Sequence, residues 1–190
     1  MLAVLLPVLA YYLGSVCSAI LICRLWRLPD PRSVGSENPG TTNVYRLGGK
    51  WPALATFVFD MLKGMLPVLL AIYLQQPELV VALCAVFACL GHIFPLFFGF
   101  KGGKAVATAF GVILALEWIM GLALIIVWLA IMKKLRISSV AAIVTVCLAP
   151  ILAFAISSPW FMSITLMSCT IVLRHLPNIR RLWDGNELGT

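Results

Sequence analysis

The chain has 190 residues, 62% of them hydrophobic and 11% charged, with a mean hydropathy of +1.05 and a net charge of +7. These values exclude an ordinary soluble domain and predict a single domain, residues 1–190, whose solvent is lipid. The excess of positive charge does not call for a nucleic-acid partner, because membrane orientation and anionic headgroups account for most of it.

Leu2 to Cys23 reads as a full-length span. Polar chain follows it directly with no small-residue cleavage pattern, which marks an anchor rather than a removed signal peptide. Next comes the longest polar loop, Arg24 to Lys50, containing Gly35-Ser36-Glu37-Asn38-Pro39-Gly40-Thr41-Thr42-Asn43-Val44-Tyr45-Arg46. Its glycines free the backbone to turn several N–H groups toward one point, its hydroxyls and amides add donors, and Arg46 adds a planar cationic fork. Those are the parts of a phosphate site, with an ordinary polar loop as the alternative. The second span, Trp51 to Leu74, carries Asp60 and Lys63 three positions apart on one face. Intramembrane charges pair with each other or face a cavity, and both readings stand for this couple.

Leu79 to Phe100 is the third span, ending in Gly91-His92-Ile93-Phe94-Pro95 and followed by Lys101-Gly102-Gly103-Lys104. Paired glycines between two lysines at the opening of a helix describe phosphate recognition by backbone donors, helix N-terminus and ammonium charge, with lysines that only obey the positive-inside rule as the alternative. The spacing is not that of a Walker A loop. If Ala105 to Met132 were one helix, it would put Lys101 and Lys104 opposite Lys133, Lys134 and Arg136. A split at Glu117, giving Val106 to Leu116 and Trp118 to Met132, restores the positive-inside rule. The first piece then covers about 17 Å of a roughly 30 Å core. A helix that short must either thin the bilayer or begin inside it, and if it begins inside, the segment before it lines a polar cavity at Lys104.

Ser139 to Ile156 and Trp160 to Leu173 complete the spans, and the chain closes on Arg174-His175-Leu176-Pro177-Asn178-Ile179-Arg180-Arg181-Leu182 and Gly185-Asn186-Glu187. A basic tail on lipid headgroups is the alternative reading of that last cluster. All Lys and Arg except Lys63 fall in four segments, Arg24–Lys50, Lys101–Lys104, Lys133–Arg136 and Arg174–Arg181. The breaks at 75–78, Glu117 and 157–159 carry none. The predicted fold is therefore an all-α integral membrane protein of seven transmembrane helices, one of them short, with the N-terminus outside and the C-terminus cytoplasmic. The six cysteines lie in apolar stretches without CxxC spacing and read as small buried hydrophobes.

In this order, the Gly35–Arg46, Gly91–Thr108 and Arg174–Glu187 clusters resemble the three signature motifs of the PlsY family, bacterial acyl-phosphate:glycerol-3-phosphate acyltransferases, over essentially the whole chain. The resemblance implies acyl transfer from acyl-phosphate to the 1-hydroxyl of glycerol-3-phosphate, giving lysophosphatidic acid in the bacterial inner membrane, with the site facing the cytoplasm. Glu37 and Ala105 stand where glycine is common in that family, Thr41 where alanine is common, and Leu176-Pro177 replaces a more basic pair. Lys104, Arg46, Ser36 and His175 are the expected catalytic residues. Asn38, Thr42, Asn43, Lys101, Gly102, Gly103, Asn178, Arg181 and Glu187 are expected to bind substrate.

An acyl-phosphate needs no acyl-enzyme, because phosphate is already a good leaving group. No histidine is followed five positions later by aspartate: His92 precedes Phe97 and His175 precedes Arg180. The leaving phosphate is the simplest proton acceptor and His175 the protein alternative, while a covalent Ser36 or cysteine intermediate lacks an adjacent base. No cofactor or metal is expected. Acyl-phosphate, glycerol-3-phosphate and membrane lipid are the expected partners, with the soluble enzyme that makes acyl-phosphate a further candidate. A small transporter or channel for an anionic solute is the rival reading, weakened because all three clusters converge on one face.

Overall fold

Hydrophobic length decides which helices can cross a bilayer. The computed structural model describes residues 1–189, all of whose regular structure is helical. Five stretches have the length and apolarity of a span: Leu2–Leu25, Lys50–Tyr73, Glu78–Phe98, Trp118–Leu135 and Ser138–Ala155. Two shorter apolar helices, Val106–Leu116 and Phe161–Arg174, join them.

In chain order the helices are α1 (Leu2–Gly14), α2 (Ser18–Leu25), α3 (Thr41–Gly48), α4 (Lys50–Tyr73), α5 (Glu78–Ile93), α6 (Val106–Leu116), α7 (Trp118–Leu135), α8 (Ser138–Ala155), α9 (Phe161–Arg174) and α10 (Leu176–Trp183). A 3₁₀ turn at Leu96–Phe98 follows α5. The division at Glu117 falls where the charge pattern puts it. Leu2 to Cys23, expected as one span, is instead broken at residues 15–17, and the carbonyl of Val16 exposed by the break accepts a 2.7 Å hydrogen bond from Lys63 Nζ. Two segments read as loop and tail also fold as short helices, α3 and α10.

Apolar packing in lipid gives little preference for one neighbour over another, so helix pairing falls to close fit. Two pairs use glycine for it. A Cβ on Gly14 or Gly91 would collide with the Ala88 or Tyr11 carbonyl oxygen, which brings α1 and α5 together backbone to backbone. Gly64 against Thr108 and Gly111 against Met61 do the same for α4 and α6. Around these crossings Val68, Ala85, Ala88, Val112, Leu124, Ile164 and Met167 form the buried core. Leu66, Ile126, Leu129, Ile151, Phe154 and Leu166 point outward, as lipid-facing side chains would. Cys17, Cys23, Cys84 and Cys89 are buried, but Cys147 and Cys169 are exposed on the outer surface, contrary to their reading as core residues.

The α4–α6 crossing fixes the polar end of the molecule, because α6 begins there. Gly111→Val would drive a branched side chain into the Met61 carbonyl, and overpacking of this kind costs roughly 1–3 kcal/mol. The expected result is a lower melting temperature of the detergent-solubilised protein. An unchanged melting temperature would contradict the crossing.

Candidate active site

Three polar segments far apart in sequence close on one cavity of about 100 Å³ at the end of the helix bundle where α6 begins. From the first come Ser36, Asn38, Thr41, Thr42, Asn43 and Arg46. From the second come His92 and Lys104, followed by Ala105, Val106 and Ala107 at the N-terminus of α6. His175, Asn178, Arg181, Glu187 and Leu188 supply the third wall, and Asp60, Phe110, Trp128 and Ser139 the floor and sides.

Buried polar atoms normally have partners, and exceptions mark places built for a ligand or water. Among the described residues, the buried side-chain atoms lacking a well-aligned hydrogen bond are Thr41 Oγ1, Asp60 Oδ1, Trp128 Nε1, Ser139 Oγ and Asn178 Oδ1. Every one belongs to a residue lining this cavity. Asp60 Oδ1 is nevertheless ion-paired with Lys63 at 2.7 Å and Ser139 is directed at Glu187, which leaves Thr41 Oγ1, Trp128 Nε1 and Asn178 Oδ1 as the open hydrogen-bonding capacity, gathered in one place. The hydroxyl, the indole N–H and the cations Lys104, Arg46 and Arg181 suit an oxyanion, and the Asn178 carbonyl oxygen suits a hydroxyl.

The charges are strongly shaped by burial. Removal from water pushes the Lys104 ammonium down to about 8, with Arg181, Arg174 and Arg46 adding to the effect and Glu187 opposing it. Burial likewise lowers the His175 imidazole to about 4, so it is neutral at pH 7. Its Nδ1 lies 2.8 Å from the Ile171 carbonyl oxygen, which can only accept; Nδ1 therefore carries the proton and Nε2 is left as an acceptor. For Glu187, burial alone would raise the carboxyl, but hydrogen bonding from Asn178, Ser139 and Arg181 outweighs it and holds it below its ordinary value.

Several expected residues have their polar atoms engaged within the protein. Asn43 donates to the carbonyls of Pro31 and Val34 at 2.8 and 2.9 Å and accepts from the Ser36 N–H at 3.0 Å. It lines the cavity chiefly as the pin that folds the Gly35–Gly40 loop over it. Glu187 accepts from Asn178 Nδ2 and, at 2.8 Å, from Arg181 Nε, so it orients two neighbours. Arg46 donates to the carbonyls of Leu188 and Gly189 at 3.1 and 2.9 Å, which fixes its fork at the rim. Ser36, Asn38 and Thr42 line the cavity, as their motif predicts.

The Lys101–Lys104 segment differs from its sequence reading. Lys101 is exposed and does not line the cavity, whereas Lys104 does. Gly102 and Gly103 lie behind the cavity wall rather than in it. The Gly103 N–H donates to the His92 carbonyl at 3.2 Å, and both glycine carbonyls accept from Arg174 at 3.2 and 3.4 Å. A Cβ on Gly102 would collide with the His92 carbonyl, and one on Gly103 with the His92 ring. These glycines permit close packing, and Lys104 with the α6 N-terminus is what reaches the site. Trp128 and Ser139 come from spans that carry no motif, and the only sequence signal for Ser139 is its place just after the basic turn Lys133–Arg136.

The family model described as Glycerol-3-phosphate acyltransferase matches residues 4–185. A glycerol-3-phosphate acyltransferase of Idiomarina loihiensis is 54% identical, covering 94% of this chain and 91% of its own. One from Pseudoalteromonas translucida is 53% identical, covering 98% and 92%. A crystal structure of PlsY (YgiH), an integral membrane glycerol 3-phosphate acyltransferase in its glycerol 3-phosphate form, superposes with a TM-score of 0.96 at 37% identity, covering 100% of this chain and 96% of that one. The lysophosphatidic acid form of PlsY superposes with a TM-score of 0.92 at 35% identity.

Two departures from glycine fall on left-handed backbone. Glu37 has φ +55° and Ala105 φ +62°. That region costs a side chain roughly 1–2 kcal/mol, partly offset by the greater freedom glycine has when unfolded. Glu37 is exposed, so Glu37→Gly is expected to raise the melting temperature, by up to about 1 kcal/mol of stability. Ala105→Gly also forfeits a buried methyl worth about 0.8 kcal/mol and should change little. A lower melting temperature for Glu37→Gly would contradict the strain at that position.

Proposed function

This chain belongs to the glycerol-3-phosphate acyltransferase family, and from that membership we propose how its cavity works. It acylates glycerol-3-phosphate to lysophosphatidic acid, the two molecules named for its solved relatives. The proposed donor is an acyl-phosphate. The observation that carries this is a cavity with three cations, Lys104, Arg46 and Arg181, whose serines, among the described residues, make no hydrogen bond to a histidine. Such a site is poorly equipped to build an acyl-enzyme and well equipped to hold phosphates.

In the proposed reaction the 1-hydroxyl oxygen of glycerol-3-phosphate attacks the acyl carbonyl carbon, and the bond from that carbon to the phosphate oxygen breaks. Lys104 and Arg46 carry the phosphate charge, with Ser36, Asn38, Thr42 and the α6 N-terminus as further donors. Asn178, held by Glu187, presents its open carbonyl oxygen to the glycerol hydroxyls. His175 Nε2 accepts a hydrogen bond from the attacking hydroxyl and aligns it. With its imidazole lowered to about 4, His175 is too weak a base to keep the proton at pH 7, so the proton leaves with the phosphate.

The proposed topology has seven crossings, an external N-terminus and a cytoplasmic C-terminus, in the bacterial inner membrane. Its support is that basic segments meet around the cavity, while Glu117 and Ser158, from two connections without Lys or Arg, hydrogen-bond to each other at 2.8 Å. The cavity then faces the cytoplasm, where a soluble enzyme making acyl-phosphate can supply it. Family membership removes the reason for an anion transporter.

The test is lysophosphatidic acid formation by purified protein given glycerol-3-phosphate with palmitoyl-phosphate, palmitoyl-CoA or palmitoyl-acyl carrier protein. Turnover is expected with the acyl-phosphate alone, and Lys104→Ala should lower kcat/KM at least about a hundredfold. Turnover with a thioester would overturn the donor assignment. Full activity in Lys104→Ala would overturn the role of that lysine.

A further inference from the structure

Beneath the Gly102-Gly103 turn lies a set of buried polar side chains to which the proposed acyl transfer assigns no role, although two of them, His92 and Asp60, also border the cavity. His92 Nδ1 is 3.1 Å from Thr108 Oγ1 and 3.5 Å from Asp60 Oδ1. Asp60 Oδ1 is in turn 2.7 Å from Lys63 Nζ, which donates at 2.7 Å to the Val16 carbonyl in the break between α1 and α2. All four side chains are at most 8% exposed. The chain of contacts runs from the α1–α2 break through α4 and α5 to α6.

A buried ion pair is weak evidence for stability, since apolar residues of the same shape usually hold a core as well or better. In a hydrocarbon setting the cost of keeping Asp60 and Lys63 is higher still. Their geometry suggests what they are kept for. Thr108 Oγ1 at 3.1 Å and the Asp60 carboxylate at 3.5 Å lie on the same side of the ring at Nδ1, where a proton on that nitrogen meets two acceptors, and together they fix the plane of the ring. The ring and the carbonyl of the same residue form the surface on which Gly102 and Gly103 rest, and the Gly103 N–H is bonded to that carbonyl at 3.2 Å. Lys104 is the next residue.

The geometry points to His92 as a positioning residue for glycerol-3-phosphate binding: held by Asp60 and Thr108, it sets the height of the Gly102-Gly103 turn and so places the Lys104 ammonium in the cavity. It acts through Lys104 and does not touch the reacting atoms. The inference rests on the proposed phosphate-binding role of Lys104. Lys104 is faced by Glu187 and Arg181 from the third segment, by Arg174 at the end of α9, and by Arg46 on α3. These groups and burial together hold its ammonium near 8. A turn that sags toward water would rehydrate it and return it toward the ordinary lysine value.

The experiment compares wild type with Thr108→Val, His92→Leu and His92→Asn in detergent, measuring kcat, KM for glycerol-3-phosphate and the pH profile of kcat/KM. Wild type should lose kcat/KM above about pH 8 as Lys104 deprotonates. Thr108→Val is nearly isosteric and removes one hydrogen bond; it should raise KM roughly three- to tenfold with kcat little changed, and move the basic limb to higher pH. His92→Leu should raise KM further. His92→Asn, whose amide can replace Nδ1–H, should recover much of that loss. KM and basic limb unchanged in folded Thr108→Val and His92→Leu would overturn the inference, as would a kcat collapse at constant KM, which would put His92 on the reacting atoms. Failure of wild type to acylate glycerol-3-phosphate would count instead against the functional reading itself.

Discussion

A chain that leaves its helix inside a hydrocarbon layer must find partners for its amides and carbonyls within the protein, because lipid offers none. Between α5 and α6 this chain finds them within the protein, and the candidate site is the outcome. The Gly103 N–H goes to the end of α5, the Gly102 and Gly103 carbonyls to Arg174, and the Phe94 carbonyl to the Tyr11 hydroxyl at 2.7 Å. With those groups satisfied, the segment can end in Lys104 and hand the free N–H groups of α6 to the cavity. The close α4–α6 crossing at Gly64 and Gly111 holds that helix end against the Asp60–His92 network.

The second consequence is electrostatic. Lys104 is drawn largely out of water beside Arg46 and Arg181, and both raise the cost of charging it. Glu187 relieves part of this without neutralising the site, since its carboxylate is turned toward Arg181 and Asn178. The protein's own groups therefore bring the deprotonation of Lys104 down to about pH 8. A dianionic phosphate would offset the crowded positive charge, and above that pH Lys104 would gain a proton as the phosphate arrived.

Much of this was readable from residue order. The charge alternation located the division at Glu117, and the three polar clusters do converge on one cavity. What escaped was whatever depended on three-dimensional neighbours. Nothing local marks residues 15–17 as a break, because the Val16 carbonyl is satisfied by Lys63 from another helix. The Thr41–Gly48 helix was hidden by the same glycine and hydroxyl content that suggested a loop. Gly102 and Gly103 looked like phosphate donors by type, yet the His92 backbone and ring against them show that they serve packing. Lys101 shares a motif with Lys104 but faces away from the cavity. Asn43 and Glu187 both line the cavity, while the contacts they make there, holding a loop and orienting Arg181, are visible only in their partners.

The central claim is that a dehydrated Lys104 receives the phosphate of glycerol-3-phosphate, and calorimetric proton uptake tests it most directly. Binding of glycerol-3-phosphate would be titrated at pH 8.5 in buffers of different ionisation enthalpy. With the free ammonium near 8, about three quarters of the lysine is neutral at that pH, so binding should take up roughly 0.7 proton per substrate. Uptake should shrink to roughly a quarter of a proton at pH 7.5, where the phosphate monoester is still almost wholly dianionic, and vanish in Lys104→Arg, which stays charged throughout. Binding at pH 8.5 without proton uptake would contradict the account, because Lys104 would then either be fully charged before the substrate arrives or stand apart from its phosphate.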